Sequence, residues 1–471
     1  MKSFRHLRRG LGAFALMAAV VAIPAGVTPA AVHAADTPLA GGGEFHPLAP
    51  ARIYDSRVES PVNEASPGPK PISTGTSTFD IQVLGLGGIP ADSTRVLAVA
   101  LSITVSQSTS PGVLAAYGTG HAPATLTSLV NFNSGAIVPN LGILSPDPAT
   151  GKLTIALYGG TGTAQVLVDV FGWFSNSNEA AGADNGSRFI PITPGRILDT
   201  RDNTNIPGGS KAPIGPSSTV TVPVRGVGSV SPTVANIVPN DPNVVGVMLN
   251  VVGITARPGG VDTYLAVTPE DIAPGAHPTT SNLNLTPNQI KANLVMVPVG
   301  ADGNVHIYNL FGNTDVAVDV VGYLLKGADP ATFKGRVVPL SAPYRTFDTR
   351  EQKWGAAPLG PGMAESWSFA DFAASVKING QSVGVQSAVI GNLTNASVAR
   401  QYASVPVLSY LTAWPTGQQR PMTSNIDTDE GPASANMAVL TYGPTNTVQF
   451  YNYAGKAHYL FDASAVVLAD A

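Results

Sequence analysis

One eight-residue pattern returns three times along this chain at nearly constant spacing. Pro50-Ala51-Arg52-Ile53-Tyr54-Asp55-Ser56-Arg57 recurs as Pro194-Gly195-Arg196-Ile197-Leu198-Asp199-Thr200-Arg201, and again as Pro343-Tyr344-Arg345-Thr346-Phe347-Asp348-Thr349-Arg350, with starts 144 and 149 residues apart. Further landmarks follow in the same order. Thr127-Ser128, Thr280-Ser281 and Thr423-Ser424 each open a short alternating run, and Asn140, Asn293 and Asn436 each lie 13 residues after those threonines. Each copy then closes on an apolar run holding one aspartate: Val168-Asp169-Val170, Val318-Asp319-Val320 and Phe461-Asp462-Ala463. Ordered matches of this kind are the mark of a repeat architecture, in which each copy is one structural unit.

Within a copy the patterning is that of strands. Val96 to Val105 is rich in β-branched residues and too apolar for a strand with one wet face, and Val244 to Val252 is its counterpart. Gly, Pro, Asn, Asp and Ser clusters separate such runs. No segment sustains a 3.6-residue period with caps, so little helix is expected. The reading is an all-β chain of three tandem β-sandwich or jelly-roll-like modules of about 140 residues. The modules span 45–174, 189–325 and 337–471, the third being the most diverged. Small polar linkers occupy 175–188 and 326–336. A Gly-rich lead-in covers 35–44. Residues 1–34 read as a signal peptide: Lys2, Arg5, Arg8 and Arg9 precede the apolar run Leu11 to Ile23, and Val32-His33-Ala34 forms a small-residue cleavage site. Arg8-Arg9 leaves a twin-arginine route open, but the residues after it fit general secretion better.

Charge is scarce, at 12 % of residues, so repeated charges stand out. Each module opens on Arg-x-x-Asp-x-Arg and closes on an aspartate inside an apolar strand, where an unpaired carboxylate is costly. The expectation is a structural latch between first and last strands. Arg52 and Arg57 would clasp Asp169, Arg196 and Arg201 would clasp Asp319, and Arg345 and Arg350 would clasp Asp462, with Asp55, Asp199 and Asp348 belonging to the same motif. A guanidinium matches a carboxylate with two parallel hydrogen bonds. The Thr-Ser and Asn landmarks are expected to bond backbone groups at strand ends.

Catalytic chemistry has little footing here. His46, His121, His277, His306 and His458 are scattered, with no metal-binding spacing, and no nucleophile elbow, phosphate loop or dinucleotide fingerprint occurs. No enzyme activity, cofactor or metal is expected. Asp427, Asp429 and Glu430 come nearest to a cation loop. The chain has no cysteine, which excludes disulfides and thiolate sites. Loss of residues 1–34 takes the net charge from −4 to −8, so nucleic acid is not an expected partner, and no membrane span is expected. Of the four tryptophans, Trp354, Trp367 and Trp414 fall in the third module and are candidate ligand-binding aromatics; Trp173 in the first is matched by Tyr323 in the second.

The Pro-x-Arg-(Ile/Leu)-(Leu/Tyr)-Asp-(Ser/Thr)-Arg opening, the Ser281-Asn282-Leu283-Asn284-Leu285 middle and the Val-Asp-Val-x-Gly-(Tyr/Trp) close resemble a tandem repeat of secreted actinobacterial proteins. The resemblance covers nearly all of the mature chain. It is close in the second module, good in the first and partial in the third, which lacks the closing Gly-aromatic pair. It implies an extracellular, cell-envelope-associated β-module and brings no catalytic residues with it. The expected function is that of a secreted, non-catalytic protein for adhesion, assembly or wall association, with self-assembly or other surface proteins as partners. The alternative is a carbohydrate- or peptidoglycan-binding protein with the third module as binder of cell-wall polysaccharide. An extracellular hydrolase is the minor alternative. Whether the modules string out as beads or close around a pseudo-threefold axis is left open by the sequence.

Overall fold

The computed structural model describes residues 42–57, 71–176, 186–206, 208, 209, 211–328, 332–351, 357–378, 381–398, 408–428 and 433–470. The proposed signal peptide, most of the lead-in, and Trp354, Asp429 and Glu430 lie outside the described residues.

Each sequence copy supplies eight principal strands. The first copy has β1 (Phe45–Asp55), β2 (Thr76–Gln82), β3 (Val96–Ser106), β4 (Gly112–Gly118), β5 (Val130–Phe132), β6 (Val138–Leu144), β7 (Lys152–Gly159) and β8 (Thr163–Ser175). The second has β9 (Arg188–Asp199), β10 (Ser218–Pro223), β11 (Val244–Ile254), β12 (Thr263–Thr268), β13 (Leu283–Leu285), β14 (Ile290–Pro298), β15 (Asn304–Asn309) and β16 (Asp315–Leu325). The third has β17 (Val337–Asp348), β18 (Ala364–Ser368), β19 (Gln386–Val398), β20 (Ser409–Pro415), β21 (Ile426–Thr428), β22 (Ser434–Thr441), β23 (Thr447–Asn452) and β24 (Ala457–Leu468). A single turn of helix, α1 (Ala370–Ser375), interrupts the third copy.

The strands pair in the same antiparallel order three times. An inner sheet runs β1-β8-β3-β6, repeated as β9-β16-β11-β14 and β17-β24-β19-β22. An outer sheet runs β2-β7-β4-β5, repeated as β10-β15-β12-β13 and β18-β23-β20-β21. Two four-stranded sheets wound this way, with first and last strands side by side, make a jelly roll.

The inner strands owe their unusual apolarity to burial on both faces. All eleven residues of β3 are buried, whereas β2 and β23 alternate between covered and wetter positions. One face of each inner sheet packs on its own outer sheet. The other face meets the inner sheets of the remaining two modules, and a single cluster joins Leu141 and Ile143 to Met248, Leu294 and Met296 and to Ile390, Met437 and Val439. Three of the seven methionines sit in this shared centre, where an unbranched, flexible side chain fills an irregular junction. The modules are therefore not beads on a string. They form one body about a pseudo-threefold axis, all within the unit that spans Val32–Ala471.

The diverged close of the third copy has a packing reason. A Cβ on Gly172 would lie 2.3 Å from the Phe45 ring, and one on Gly322 would lie 2.4 Å from the Phe189 ring. The register puts Ala465 and Val337 at these positions in module 3. The larger residue on one strand is matched by a smaller one on its neighbour, so volume is conserved across the pair.

Candidate functional site

The latch residues come first, because they recur in every module. Register sets Arg52 opposite Asp169, Arg196 opposite Asp319 and Arg345 opposite Asp462, with an irregularity in the ladder immediately after. In module 1, Arg52 Nε and Nη2 donate to the two Asp169 oxygens at 2.8 and 3.0 Å, and Nη1 donates to Asp55 at 3.2 Å. Arg196 holds Asp319 and Asp199 in the same way, and Arg345 holds Asp462 and Asp348. The second arginine of the motif does something else. Arg57 does not reach Asp169; its Nε and Nη2 donate to Asp55 at 2.9 and 2.7 Å, as Arg201 does to Asp199 and Arg350 to Asp348. The expectation of two arginines on each closing aspartate is corrected on this point. The cause is local: the motif aspartate also accepts the backbone N–H two residues on, a turn that brings the arginine there onto it.

Burial favours the neutral form of Asp55, Asp199 and Asp348, but the charge-assisted bonds from the second arginine outweigh it and hold all three below the ordinary carboxylate range. Asp319 and Asp462 are more deeply buried, and desolvation pushes both above that range despite their guanidinium partners. Each has one further donor, and it comes from another module. Ser128 N of module 1 bonds Asp462 of module 3 at 3.1 Å, and Ser424 N of module 3 bonds Asp319 of module 2 at 3.3 Å.

The Asn landmarks act at the same interfaces. Asn140 Nδ2 donates to Leu129 O and to Asn392 Oδ1 of module 3, while its own Oδ1 accepts Met437 N. Asn436 of module 3 repeats this on Asn250 Oδ1 and Leu294 N of module 2. Register puts Ser102 where modules 2 and 3 carry Asn250 and Asn392, and the crevice it lines with Phe171 and Asn293 is about 10 Å³. Asn140 and Asn436 thus bond between modules as well as to local backbone groups, while Asn293 donates to Asn282 O of its own module.

A second polar cluster closes the axis. Glu44, Arg188 and Arg336 each precede the first core residue of their opening strands, and all three are buried. Glu44 Oε1 lies 3.1 Å from Arg188 Nε and 3.3 Å from Arg336 Nη2. Burial lowers the Arg336 pKa; Glu44 opposes that effect and the Arg188 charge adds to it.

The tryptophans do not form a platform. Trp367 is 8 % exposed and packs between Phe347 and Phe450, and Trp414 is 5 % exposed with its indole N–H on Gln418 O. Trp367 belongs to the core, and Trp414 is covered on the other face of its strand from the core-facing Leu411 and Ala413, which corrects their candidacy as exposed ligand contacts. Trp173 is likewise covered, stacked by His46 at 4.2 Å.

The cavity of note lies between modules 2 and 3. It measures about 410 Å³, and its lining includes Arg201 and Ile254 from module 2 with Tyr410, Met422, Asp427 and Tyr453 from module 3. A separate crevice between modules 3 and 1, beside Ser128 and Asp462, is about 20 Å³. Tyr453, 52 % exposed, stacks on Tyr410 with ring centroids 4.8 Å apart and planes 11° from parallel. Tyr451 adjoins Tyr410 at 6.4 Å and carries the Arg420 guanidinium 3.8 Å above its ring. The same three sheet positions hold Val113, Ala156 and Tyr158 in module 1, and Tyr264, Tyr308 and Leu310 in module 2. Asp427 stands where those modules have Asn131 and Asn284. Burial drives its carboxyl up to about 7, with a bond from Ser424 Oγ opposing and the Asp319 charge assisting. Sequence reasoning followed the tryptophans and passed over this group; its signal was the Tyr451-Asn452-Tyr453 run facing Tyr410.

Among the described residues no cluster of His, Cys, Asp and Glu is arranged to hold a metal ion, and no helix is long and apolar enough to cross a membrane. No family model matches the chain, and no curated protein matches it. Solved structures do. A triple jelly-roll protein of the turret assembly of an archaeal virus is 9 % identical and matches 90 % of each chain with a TM-score of 0.16. A chain of the Sulfolobus turreted icosahedral virus is 8 % identical over 84 % of this chain and 85 % of its own, again at 0.16. The tandem N-terminal carbohydrate-binding modules of a Paenibacillus barcinonensis protein are 11 % identical over 59 % of this chain and 99 % of theirs, also at 0.16. Scores this low carry nothing about ligand or role, and the jelly-roll order rests on the strand pairing itself.

Proposed function

We propose that this chain is a secreted, non-catalytic protein of the cell envelope, a one-piece scaffold for adhesion, assembly or wall association. The observation that supports it is the use of the repeated chemistry. Every Arg and Asp of the threefold motif is engaged inside its own module, and the closing aspartates of modules 2 and 3 also bind a neighbouring module. The residues the copies share hold the body together, so recognition belongs to surfaces where the copies differ.

A second reading, binding to carbohydrate or peptidoglycan through module 3, is favoured by the tyrosine group at 410, 451 and 453. One experiment separates the readings. Mature protein is incubated with isolated actinobacterial cell wall, purified peptidoglycan, chitin and cellulose, and both sedimentation and release of soluble fragments are measured. Sedimentation with wall but not with the purified polymers supports wall association. Sedimentation with a purified polymer supports the second reading. Release of fragments overturns the non-catalytic assignment, and absence of binding together with a monomeric species by light scattering overturns both readings.

A further inference from the structure

The cleft between modules 2 and 3, about 410 Å³, carries side chains that the matching positions of module 1 lack: Tyr410 and Asp427 stand where that module has Val113 and Asn131. Its volume lies in the range of small-ligand pockets. One wall is aromatic and accessible, formed by the stacked Tyr410 and Tyr453. The opposite wall is aliphatic, from Val252, Ile254 and Ile290. The polar groups at its floor are Arg196, Arg201, Ser409, Ser424 and Asp427.

Charge in the cleft is balanced. Arg196 is spent on Asp319 and Asp199, and Arg201 on Asp199. Burial raises the Asp427 carboxyl to about 7, which weakens its preference for the charged form. A fully charged ligand would therefore find no unpaired counter-ion among these groups, and an unpaired buried charge is costly. Ser409 Oγ is already engaged with Asn452 Oδ1 and Ala454 N, and Ser424 Oγ with Asp427, so a purely apolar ligand would displace water chiefly from the remaining acceptor capacity of the Asp427 carboxyl. An amphipathic ligand with flat C–H faces and hydroxyl edges meets both walls and the floor. A pyranose ring has that character.

We propose that this cleft binds an uncharged saccharide, with a pyranose face against the tyrosine pair at 410 and 453 and its hydroxyls toward Asp427 and Ser424. The inference deepens the carbohydrate-binding reading and rests on it. It also moves the site from module 3 alone to the 2/3 interface, so only a closed body presents it.

The test is calorimetric titration of the mature protein with cellotetraose and chitotetraose, and with a neutral leucine-rich peptide for comparison. Binding of at least one oligosaccharide is expected. Tyr453→Ala should weaken it about tenfold, equivalent to about 1.4 kcal/mol. Tyr158→Ala, at the matching position of module 1, should leave affinity unchanged. Asp427→Ala, which removes the carboxyl offered to the sugar hydroxyls, should weaken binding about tenfold as well. Tyr453 is half exposed, and an unchanged circular dichroism spectrum for Tyr453→Ala separates lost binding from lost folding. Binding of neither oligosaccharide, binding untouched by Tyr453→Ala, or binding of the peptide alone overturns the proposal. Tyr453→Ala is also sedimented with cell wall. If it still sediments while the parent binds no oligosaccharide, the cleft assignment fails and wall association stands; if parent and variant both stay in solution, wall association fails as well.

Discussion

Two arginines of one motif, one three residues before its aspartate and one two residues after it, have different work. Arg345 is 11 % exposed, bridges Asp462 and Asp348, and donates to Leu126 O of module 1 at 2.9 Å. Arg350 is nearly half exposed and binds Asp348 alone among the aspartates. A lysine keeps the charge but cannot reproduce a fork that serves two carboxylates and a carbonyl. Arg345→Lys should therefore cost about 2–4 kcal/mol, while Arg350→Lys should fall within about 0–1 kcal/mol, as urea denaturation would measure. The carboxyls set opposite pH dependences. Asp55, Asp199 and Asp348 are held low, so their stabilisation is present above the ordinary carboxylate value and is lost as pH falls through the lowered one. Asp427 is held high, so the folded state keeps a proton that the unfolded state has released. Its contribution falls as pH rises from about 4 to about 7 and is constant above that. The urea midpoint of Asp427→Asn relative to the parent should therefore improve across that window. The pairing of opening arginine with closing aspartate was legible because both recur in a chain poor in charge. The division of labour between the arginines was not, because it depends on a turn at the motif aspartate that spacing does not encode.

At the scale of strands, apolarity carried the fold. The run Val96 to Val105 is too apolar for a sheet with one wet face, and β3 is buried on both. What the run could not say was what covers the second face; a parallel layer, a helix or another module would each leave the same pattern. The exchange of Gly-aromatic for Ala-Val at the close of module 3 is a test of packing between strands. Gly172→Ala forces a methyl against the Phe45 ring and against His46 O, which should cost about 1–3 kcal/mol. Adding Phe45→Val should recover part of that loss, giving a favourable coupling in a double-mutant cycle by thermal denaturation. The tryptophans illustrate the reverse failure. Composition marked Trp367 and Trp414 as surface candidates, but the Trp367 ring is consumed by an aromatic core around Phe347, Phe369, Phe450 and Phe461, and Trp414 is buried on the other face of its strand.

For the molecule as a whole, the decisive contacts run between modules. Glu44, Arg188 and Arg336 occupy one column of the repeat, yet the column does not read as a motif, because one copy carries an acid where the other two carry arginine. Glu44→Gln leaves two buried guanidiniums without their carboxylate and should cost about 3–5 kcal/mol. Because the central core draws on all three inner sheets, that loss should lower a single unfolding transition in calorimetry and not detach one module from the rest. The closure of the body has one more consequence. Gly43 pairs with Val337, and Val337 pairs in turn with Val467. Residues near the two ends of the described chain thus flank one strand, about 10 Å apart at two strand spacings. The interfaces form a cycle with no first member, so the order in which the ribosome delivers the modules is a matter of history. A circular permutant opened between modules 1 and 2, with residue 468 joined to residue 43 through a short flexible bridge, should fold to the same body and melt at nearly the same temperature.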